Sequence, residues 1–195
     1  MDPRRAIRTL YRDLDGYDVT DEEEEIVLRH RSSPLYGEIT PGAVARLLEY
    51  LQLGPEDALY DLGSGVGKVV VQAAMTHELR AAVGVELVER RFTMAQEALR
   101  RARGRGFLKT KDVRFLRGDF MRADLNGATV VYTCSTAFPV PLMLRMAQRL
   151  YRYPSIRCLV TVQDLDDNPW FYEDDVLRLD MTWRRRARVY VYRPT

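Results

Sequence analysis

Three alternate glycines are the feature of the sequence that points most directly to a bound molecule. Gly63, Gly65 and Gly67 follow the acidic residue Asp61, and an apolar stretch precedes them. This order predicts a strand, a tight turn and the start of a helix. Glycine suits such a turn because it adopts positive φ freely and lets the backbone approach a ligand closely. We therefore expect a small ligand against this loop, with Ser64 among its contacts.

Two phosphate-binding interpretations of the loop fail. A dinucleotide fingerprint needs a third glycine where Lys68 stands, and Asp61 would repel a pyrophosphate. A P-loop needs four residues before its Gly-Lys pair and Ser or Thr after it, but Gly63 is too close to Gly67 and Val69 follows Lys68. An acidic residue before Gly-x-Gly-x-Gly suits a ligand with an ammonium group and a ribose but no phosphate, such as S-adenosylmethionine. A strand-to-helix turn without a ligand is the alternative.

Carboxylates also end the next two apolar runs. Glu86 lies about 20 residues beyond the glycine loop, where an acidic residue can accept hydrogen bonds from both ribose hydroxyls. Asp119 follows the third run and Phe120 comes next, so the carboxylate could accept from an adenine amino group while the ring covers the base. Because parallel strands end at one edge of the sheet, we expect these three residues near Asp61.

A further cluster of polar side chains precedes the loop. Gly37 stands between Tyr36 and Glu38, and this predicts a backbone bend that presents Tyr36, Glu38 and Thr40 to the ligand. A solvated loop is the alternative. Thr40 also has a structural role as a predicted N-cap, because Pro41 follows it at the first helical position.

The elements that must position these residues form an α/β pattern. Apolar strands alternate with helices from Asp57 onward, and residues 176–183 and 188–192 alternate like an antiparallel hairpin. The sequence thus predicts a doubly wound, mostly parallel seven-stranded sheet with a C-terminal hairpin. We expect residues 1–35 to form a helical N-terminal extension and residues 36–195 the ligand-binding domain. The loop from Cys134 to Phe138 after the fourth strand is the expected acceptor-side wall.

Composition limits the classes of function. The chain has 195 residues, of which 46% are hydrophobic and 30% charged, so one core under a charged surface is expected. The net charge of +2 gives no global argument for nucleic acid. Two separated cysteines argue against a metal site or a disulfide framework and suit a reducing compartment. With neither a signal peptide nor an apolar membrane span in the sequence, we expect a cytoplasmic protein.

The order of these elements, with Asp-Leu-Gly-Ser-Gly-Val-Gly at residues 61–67, resembles the class I S-adenosylmethionine-dependent methyltransferases. More narrowly, residues 36–40, 61–67, 85–86 and 118–120 resemble the Dot1 family of protein-lysine methyltransferases. The resemblance runs from about Tyr36 to Phe138. It implies that Glu86 holds the ribose, that Asp119 and Phe120 hold the adenine, and that the methionine part is held by Tyr36, Glu38, Thr40, Asp61 and Gly63.

The sequence departs from that family at two places. Lys68 replaces a common amide after the last glycine, and Cys134-Ser135-Thr136-Ala137-Phe138 stands where the family has Asn-Asn-Phe-Ala-Phe. Cofactor binding is expected to survive these changes, whereas a histone substrate does not follow from the resemblance. Shorter lysine methyltransferases that act on membrane-associated proteins share the Asp-Leu-Gly-Ser-Gly loop.

The expected reaction is direct in-line transfer of a sulfonium methyl to a nitrogen nucleophile, a protein lysine side chain. Tyr36, Ser135 and Phe138 are the candidates for the channel wall and for orienting the amine. An RNA or small-molecule acceptor is the first alternative; arginines at 100–105 and 184–186 favour it, and the lack of an Asn-Pro-Pro-Tyr-type motif disfavours it. A module that binds S-adenosylmethionine without transferring methyl is the second. The sequence gives no indication of oligomeric state.

Overall fold

Helices and strands alternate through residues 2–136 and 138–195, which a computed structural model describes. The helices are α1 (Pro3–Leu10), α2 (Asp21–Arg29), α3 (Pro41–Leu51), α4 (Lys68–Thr76), α5 (Glu89–Gly104) and α6 (Val140–Leu150). The strands are β1 (Ala58–Leu62), β2 (Ala81–Glu86), β3 (Val113–Arg117), β4 (Val130–Thr133), β5 (Cys158–Thr161), β6 (Phe171–Leu179) and β7 (Ala187–Pro194).

The strands form one mixed sheet in the order β3-β2-β1-β4-β5-β7-β6. The first five strands are parallel, and β7 runs antiparallel to both β5 and β6. The predicted fold class, a mostly parallel seven-stranded sheet with a C-terminal antiparallel pair, is confirmed. Asp61 lies in register with Gly84 on β2 and Tyr132 on β4, so the carboxyl ends of the three central strands meet at one place.

Burial on both faces explains why the central strands read as continuous apolar runs. Every residue of β1, β2, β4 and β5 is buried, as expected when helices cover both sides of a parallel sheet. Apolar residues of α1, α3, α4 and α5 pack on one face, and those of α6 pack on the other. The predicted N-terminal extension therefore contributes to the main core through α1, whose Ile7 and Leu10 are buried.

The hairpin differs in its bounds from the prediction. The strand β6 begins at Phe171 rather than Val176. The sequence did not reveal this start, because the first half of β6 lies at the sheet edge and its exposed, acidic side chains show no apolar alternation. A β-bulge between Glu173 and Asp175 adds to this irregularity. Trp183 lies in the loop before β7 and not in a strand. Among the described helices, none combines the length and the apolar character needed to cross a membrane.

Candidate active site

The glycine loop joins β1 to α4 with a backbone that only glycine adopts readily. Gly63, Gly65 and Gly67 have φ values of 77°, 56° and 82°. At Gly65 the absence of a side chain is also a packing requirement, since a Cβ there would lie 2.5 Å from the hydroxyl oxygen of Tyr36. The close packing of Tyr36 against the loop therefore requires glycine at position 65.

A small inner chamber behind the loop contains buried polar atoms without partners. Asp61, Ser64 and Tyr132 line it, and among the described residues the Oδ1 of Asp61, the Oγ of Ser64 and the phenol oxygen of Tyr132 form no hydrogen bond. Burial, and then the nearby Glu86 carboxylate, raise the pKa of Asp61 well above its usual value. Because unpaired buried polar groups are costly, this chamber fits a polar, positively charged ligand group.

Glu86, at the end of β2, connects the glycine loop to the start of the next helix. Its Oε2 accepts a hydrogen bond from the Gly65 amide at 2.7 Å, and its Oε1 accepts one from the Val88 amide at 2.9 Å. Each carboxylate oxygen keeps a further lone pair for a ligand. Glu86 also lines the larger outer cavity, where the ribose hydroxyls were predicted to bind.

Aromatic rings form one side of this outer cavity. Phe120 and Phe138 stack with ring centroids 5.5 Å apart and planes 21° apart, and Leu142 lies beside them in the lining. Asp119 lines the same cavity and accepts a hydrogen bond from the Met121 amide at 2.8 Å. An apolar slot with one carboxylate at its edge suits a purine base, and the adenine-binding role of Asp119 and Phe120 stays a prediction.

The N-terminal segment also contributes to the outer cavity. Val27 and His30 at the end of α2 contribute to the lining. Buried Arg91 ties this segment down, because its Nε donates to the Gly16 carbonyl at 2.8 Å while its guanidinium lies 4.1 Å from the centroid of the Tyr36 ring. Sequence reasoning missed Arg91; the only available signal was a charged residue on the buried side of a helix.

Tyr36, Glu38 and Lys68 form a network at the entrance of α4. The Tyr36 hydroxyl donates to Glu38 Oε1 at 2.8 Å, and the Lys68 ammonium donates to Glu38 Oε2 at 2.5 Å. Lys68 is the first residue of α4, where the helix macrodipole repels a cation. The ion pair with Glu38 offsets this repulsion. Burial, and then Glu38, raise the pKa of Tyr36 well above its usual value, so the phenol stays protonated at neutral pH.

Four of the predicted site residues lie outside the lining of these two cavities: Gly65 and Gly67, which shape the glycine loop, and Ser135 and Thr40. Ser135 is fully buried, and its Oγ accepts hydrogen bonds from the amides of Val162 and Gln163 at 3.2 and 3.1 Å. Thr40 caps α3, with its hydroxyl accepting from the Ala43 amide at 3.3 Å. The side chains of Ser135 and Thr40 thus bind backbone amides of the protein itself.

Cys134 takes the place at the cavity that sequence reasoning gave to Ser135. It lines both the inner chamber and the outer cavity, as Tyr36, Gly37 and Gly63 also do, and these four residues define what we call the junction. The Cys134 thiol donates to the Gly37 carbonyl at 3.3 Å, and burial raises its pKa to about 11. Ala137, which belongs to the same predicted wall, lies outside the described residues.

Comparison with protein families gives one match that covers most of the chain. The family described as "Histone methylation protein DOT1" matches residues 23–168. A histone-lysine N-methyltransferase of Caenorhabditis elegans, specific for lysine 79 of histone H3, is 30% identical over 127 residues, which are 61% of this chain and 13% of that protein. A protein-lysine N-methyltransferase of Saccharolobus islandicus is 35% identical over 88 residues, 45% of this chain and 52% of that one. The chain thus corresponds to only part of each relative's length.

Solved structures with the same fold include cofactor complexes. An RNA methyltransferase of Salinibacter ruber bound to S-adenosylhomocysteine has a TM-score of 0.61 and 26% identity, over 78% of this chain and 91% of that one. A magnesium protoporphyrin IX methyltransferase of Synechocystis with bound S-adenosylmethionine has a TM-score of 0.60 over 100% and 98% of the two chains, and at 14% identity it shows the fold alone.

The geometry of the site agrees with these matches. Asp61 and Ser64 offer unpaired polar atoms for an amino-acid tail, Glu86 lies where a ribose can be held, and Phe120 borders a slot for a purine. Since the family match also spans well over half of the 195 residues, the chain belongs to the Dot1 family and has the class I fold of the S-adenosylmethionine-dependent methyltransferases.

Proposed function

We propose that the chain methylates a lysine side chain of a protein by direct in-line transfer. The observation that carries the proposal is the junction, whose four lining residues Tyr36, Gly37, Gly63 and Cys134 carry no charge of their own. Uncharged walls favour the neutral form of an entering amine, because desolvation lowers the pKa of a lysine. The bound cofactor supplies an electrophilic sulfonium methyl, and the protein residues position the nitrogen that accepts it.

No general base is required in this proposal. The Tyr36 phenol and the Cys134 thiol both have raised pKa values, so each stays protonated and neither removes a proton at neutral pH. Their role is to exclude water and to fix the approach of an amine that has already lost its proton to solvent. Positioning of this kind can lower a barrier by roughly 7–11 kcal/mol.

Methyl transfer into fractionated lysate tests the acceptor class. Purified chain and labelled S-adenosylmethionine are incubated with lysate, which is then digested with protease or with nuclease. We expect protease to release the label, nuclease to leave it in place, and acid hydrolysis to yield Nε-methyllysine. The Asp61→Ala variant serves as the control, and calorimetry should show that it no longer binds S-adenosylmethionine.

RNA is the second candidate acceptor. The Salinibacter ruber structure named as an RNA methyltransferase covers most of this chain, and this observation favours the alternative. Release of the label by nuclease would establish RNA and contradict the lysine proposal. If no S-adenosylhomocysteine forms with any fraction, the chain binds the cofactor without transferring its methyl group.

A further inference from the structure

A cluster of arginines on the C-terminal hairpin forms a surface depression that the cofactor site does not use. Arg178 on β6, Arg188 on β7 and Arg184 in the connecting loop line it, and all three are exposed. We call this depression the arginine pocket. Trp183 and Thr136 also line it.

The arginines of the arginine pocket have no ion-pair partner among the described residues. Arg178 and Arg188 are direct partners in the β6–β7 register, an arrangement in which like charges are destabilising. Across residues 2–136 and 138–195, none of the three arginines forms an ion pair, and no acidic residue lines the pocket. On the same hairpin, Arg193 does pair with Asp174, at 3.0 Å. The pocket therefore offers charge that an external anion would neutralise.

The arginine pocket adjoins the junction of the active site. The loop that carries it is bound to the turn at Glu38, whose carbonyl accepts from the Thr182 amide at 2.8 Å. The Trp183 ring packs against Gly37, where a side chain would collide with it. Thr136, two residues beyond Cys134, lines the arginine pocket itself. A substrate segment that lies across Trp183 could thus contact the arginine pocket and the junction at the same time.

We propose that the arginine pocket docks an aspartate or glutamate side chain close in sequence to the methylated lysine. This rests on the proposed lysine methylation and adds a preference for an acidic neighbour. Arginine binds carboxylates in bidentate geometry, and two opposed arginines can hold one or two such groups.

Acidic residues close in sequence to the pocket lining favour a compact anion over a nucleic-acid backbone. Acidic residues follow Gln163 in the loop at Asp164, Asp166 and Asp167, and the exposed first half of β6 contains residues 173–175, all acidic. These carboxylates would repel a phosphate backbone that extended towards them, whereas one or two side-chain carboxylates need only the pocket itself.

Peptide binding to the full chain tests the proposal directly. Two fluorescent peptides are compared by anisotropy in the presence of S-adenosylhomocysteine: each has one central lysine in a Gly/Ser background, flanked by glutamates in one and by glutamines in the other. We expect the glutamate peptide to bind about tenfold more tightly at low salt, with the difference shrinking as salt screens the charges. The double variant Arg178→Gln/Arg188→Gln should abolish the difference while leaving the Kd of S-adenosylhomocysteine unchanged.

A matched variant separates local from global charge effects. Arg145→Gln/Arg152→Gln removes the same charge from exposed positions outside the pocket lining, and it should keep the full glutamate preference. Arg184→Gln provides a second pocket variant in a loop, where folding is least at risk.

Three results would overturn the proposal: equal binding of the two peptides, a glutamate preference that survives in the pocket variants, or Arg178- and Arg188-dependent binding of oligouridylate without any glutamate preference. A different result concerns the reaction alone. If the pocket variants abolish the glutamate preference but no lysine becomes methylated, the docking role stands and the proposed lysine methylation fails.

Discussion

Asp61 and Glu86 are two buried carboxylates of the same site, and their surroundings give them different energetic roles. Glu86 accepts hydrogen bonds from two backbone amides, whereas the Oδ1 of Asp61 has no partner among the described residues. Burial raises the pKa of both groups, and the Glu86 charge raises that of Asp61 further. Ionised Asp61 thus lowers the stability of the free protein, as expected if its predicted partner is the cofactor.

Replacing each carboxylate by its amide should therefore change the stability of the free protein in opposite directions. Asp61→Asn removes a charge whose ionisation opposes folding, so we expect the free energy of unfolding at neutral pH to rise by about 1 kcal/mol. Glu86→Gln places an NH₂ group against a backbone donor and should lower it by about 1–3 kcal/mol. Urea unfolding of the cofactor-free proteins measures both changes, and calorimetry should show weaker S-adenosylmethionine binding in each.

The pH dependence of the Asp61→Asn effect follows from the raised pKa. The folded state holds the Asp61 proton more tightly than the unfolded state, so the wild type loses stability as pH rises above the unfolded value of about 3.9. The advantage of the variant should be smallest near pH 4 and largest at neutral pH. A variant advantage that shrinks as pH rises would contradict this account.

Cys134 should react slowly despite its position at a cavity. Burial raises its pKa to about 11, which leaves about 100-fold less thiolate near pH 8 than in an ordinary cysteine. In a Cys158→Ser background, alkylation by iodoacetamide followed by mass spectrometry should be slower than for glutathione by roughly that factor. The rate should increase steadily with pH. A rate equal to that of glutathione would mean that the junction is more polar than described.

At this scale, the sequence predicted residues at strand ends better than residues within loops. Glu86 and Asp119 could be assigned because parallel strands end at one edge of the sheet, and both line the outer cavity. Adjacent positions in an irregular loop point in directions that no periodicity encodes, and for that reason Ser135 was placed at the cavity instead of Cys134. The contact of Arg91 with Tyr36 joins elements far apart in sequence, and no local sequence pattern predicts such a contact.

At the scale of elements, one cluster of side chains joins the starts of three strands. Asp57 precedes β1 and forms two hydrogen bonds with Arg157, which precedes β5, both at 2.9 Å. Thr129, just before β4, donates to Asp57 at 2.8 Å. Burial opposes the charged form of Asp57, but Arg157, the Gly54 amide and Thr129 outweigh it and lower the Asp57 pKa to about 2.

Asp57→Asn should weaken this connection between strands. We expect a loss of about 1–2 kcal/mol in the free energy of unfolding at pH 7, after discounting for the partial exposure of Arg157. The lowered pKa means that the contribution is present above the unfolded value of about 3.9 and disappears as pH falls towards 2. Asp174→Asn, which breaks the more exposed pair with Arg193, is the control and should cost at most about 0.5 kcal/mol. Equal losses in the two variants would argue against the cluster.

The central strands were predictable because burial on both faces of the sheet requires continuous apolar runs in their sequence. The apolar run predicted to end at Glu86 is β2, and the strand does end at that residue. The beginning of β6 was not predicted, because exposed edge residues carry no such constraint. The loop between β6 and β7 was also hidden in the sequence, although Trp183 packs against Gly37 at the junction.

At the scale of the whole molecule, the N-terminal helices are part of the main fold. Ile7 and Leu10 of α1 lie in the same core cluster as the apolar faces of α3 and α4. The end of α2 lines the outer cavity, and Arg90 and Arg91 of α5 are bonded to the N-terminal segment. The predicted boundary at residue 35 therefore separates two stretches of sequence whose side chains share one core.

Ile7→Ala should consequently destabilise the entire protein. We expect a loss of about 3 kcal/mol from the cavity that the truncated side chain leaves in the core. Ile26→Ala, on the exposed part of α2, is the matched control and should stay within about 0.5 kcal/mol of the wild type. Denaturant unfolding followed by both circular dichroism and tryptophan fluorescence should give one coincident transition. Separate transitions would show that α1 unfolds independently.

The position of β7 also sets the order in which the molecule can be assembled. Although β7 follows β6 in the chain, it lies between β5 and β6 in the sheet, so β6 joins the sheet only through its pairing with β7. During synthesis the half of the protein that holds the methyl donor can form first, since its strands β1 to β4 are already available. The hairpin surface proposed to dock the acceptor is completed last. A nascent chain could therefore bind cofactor before it is able to select a substrate.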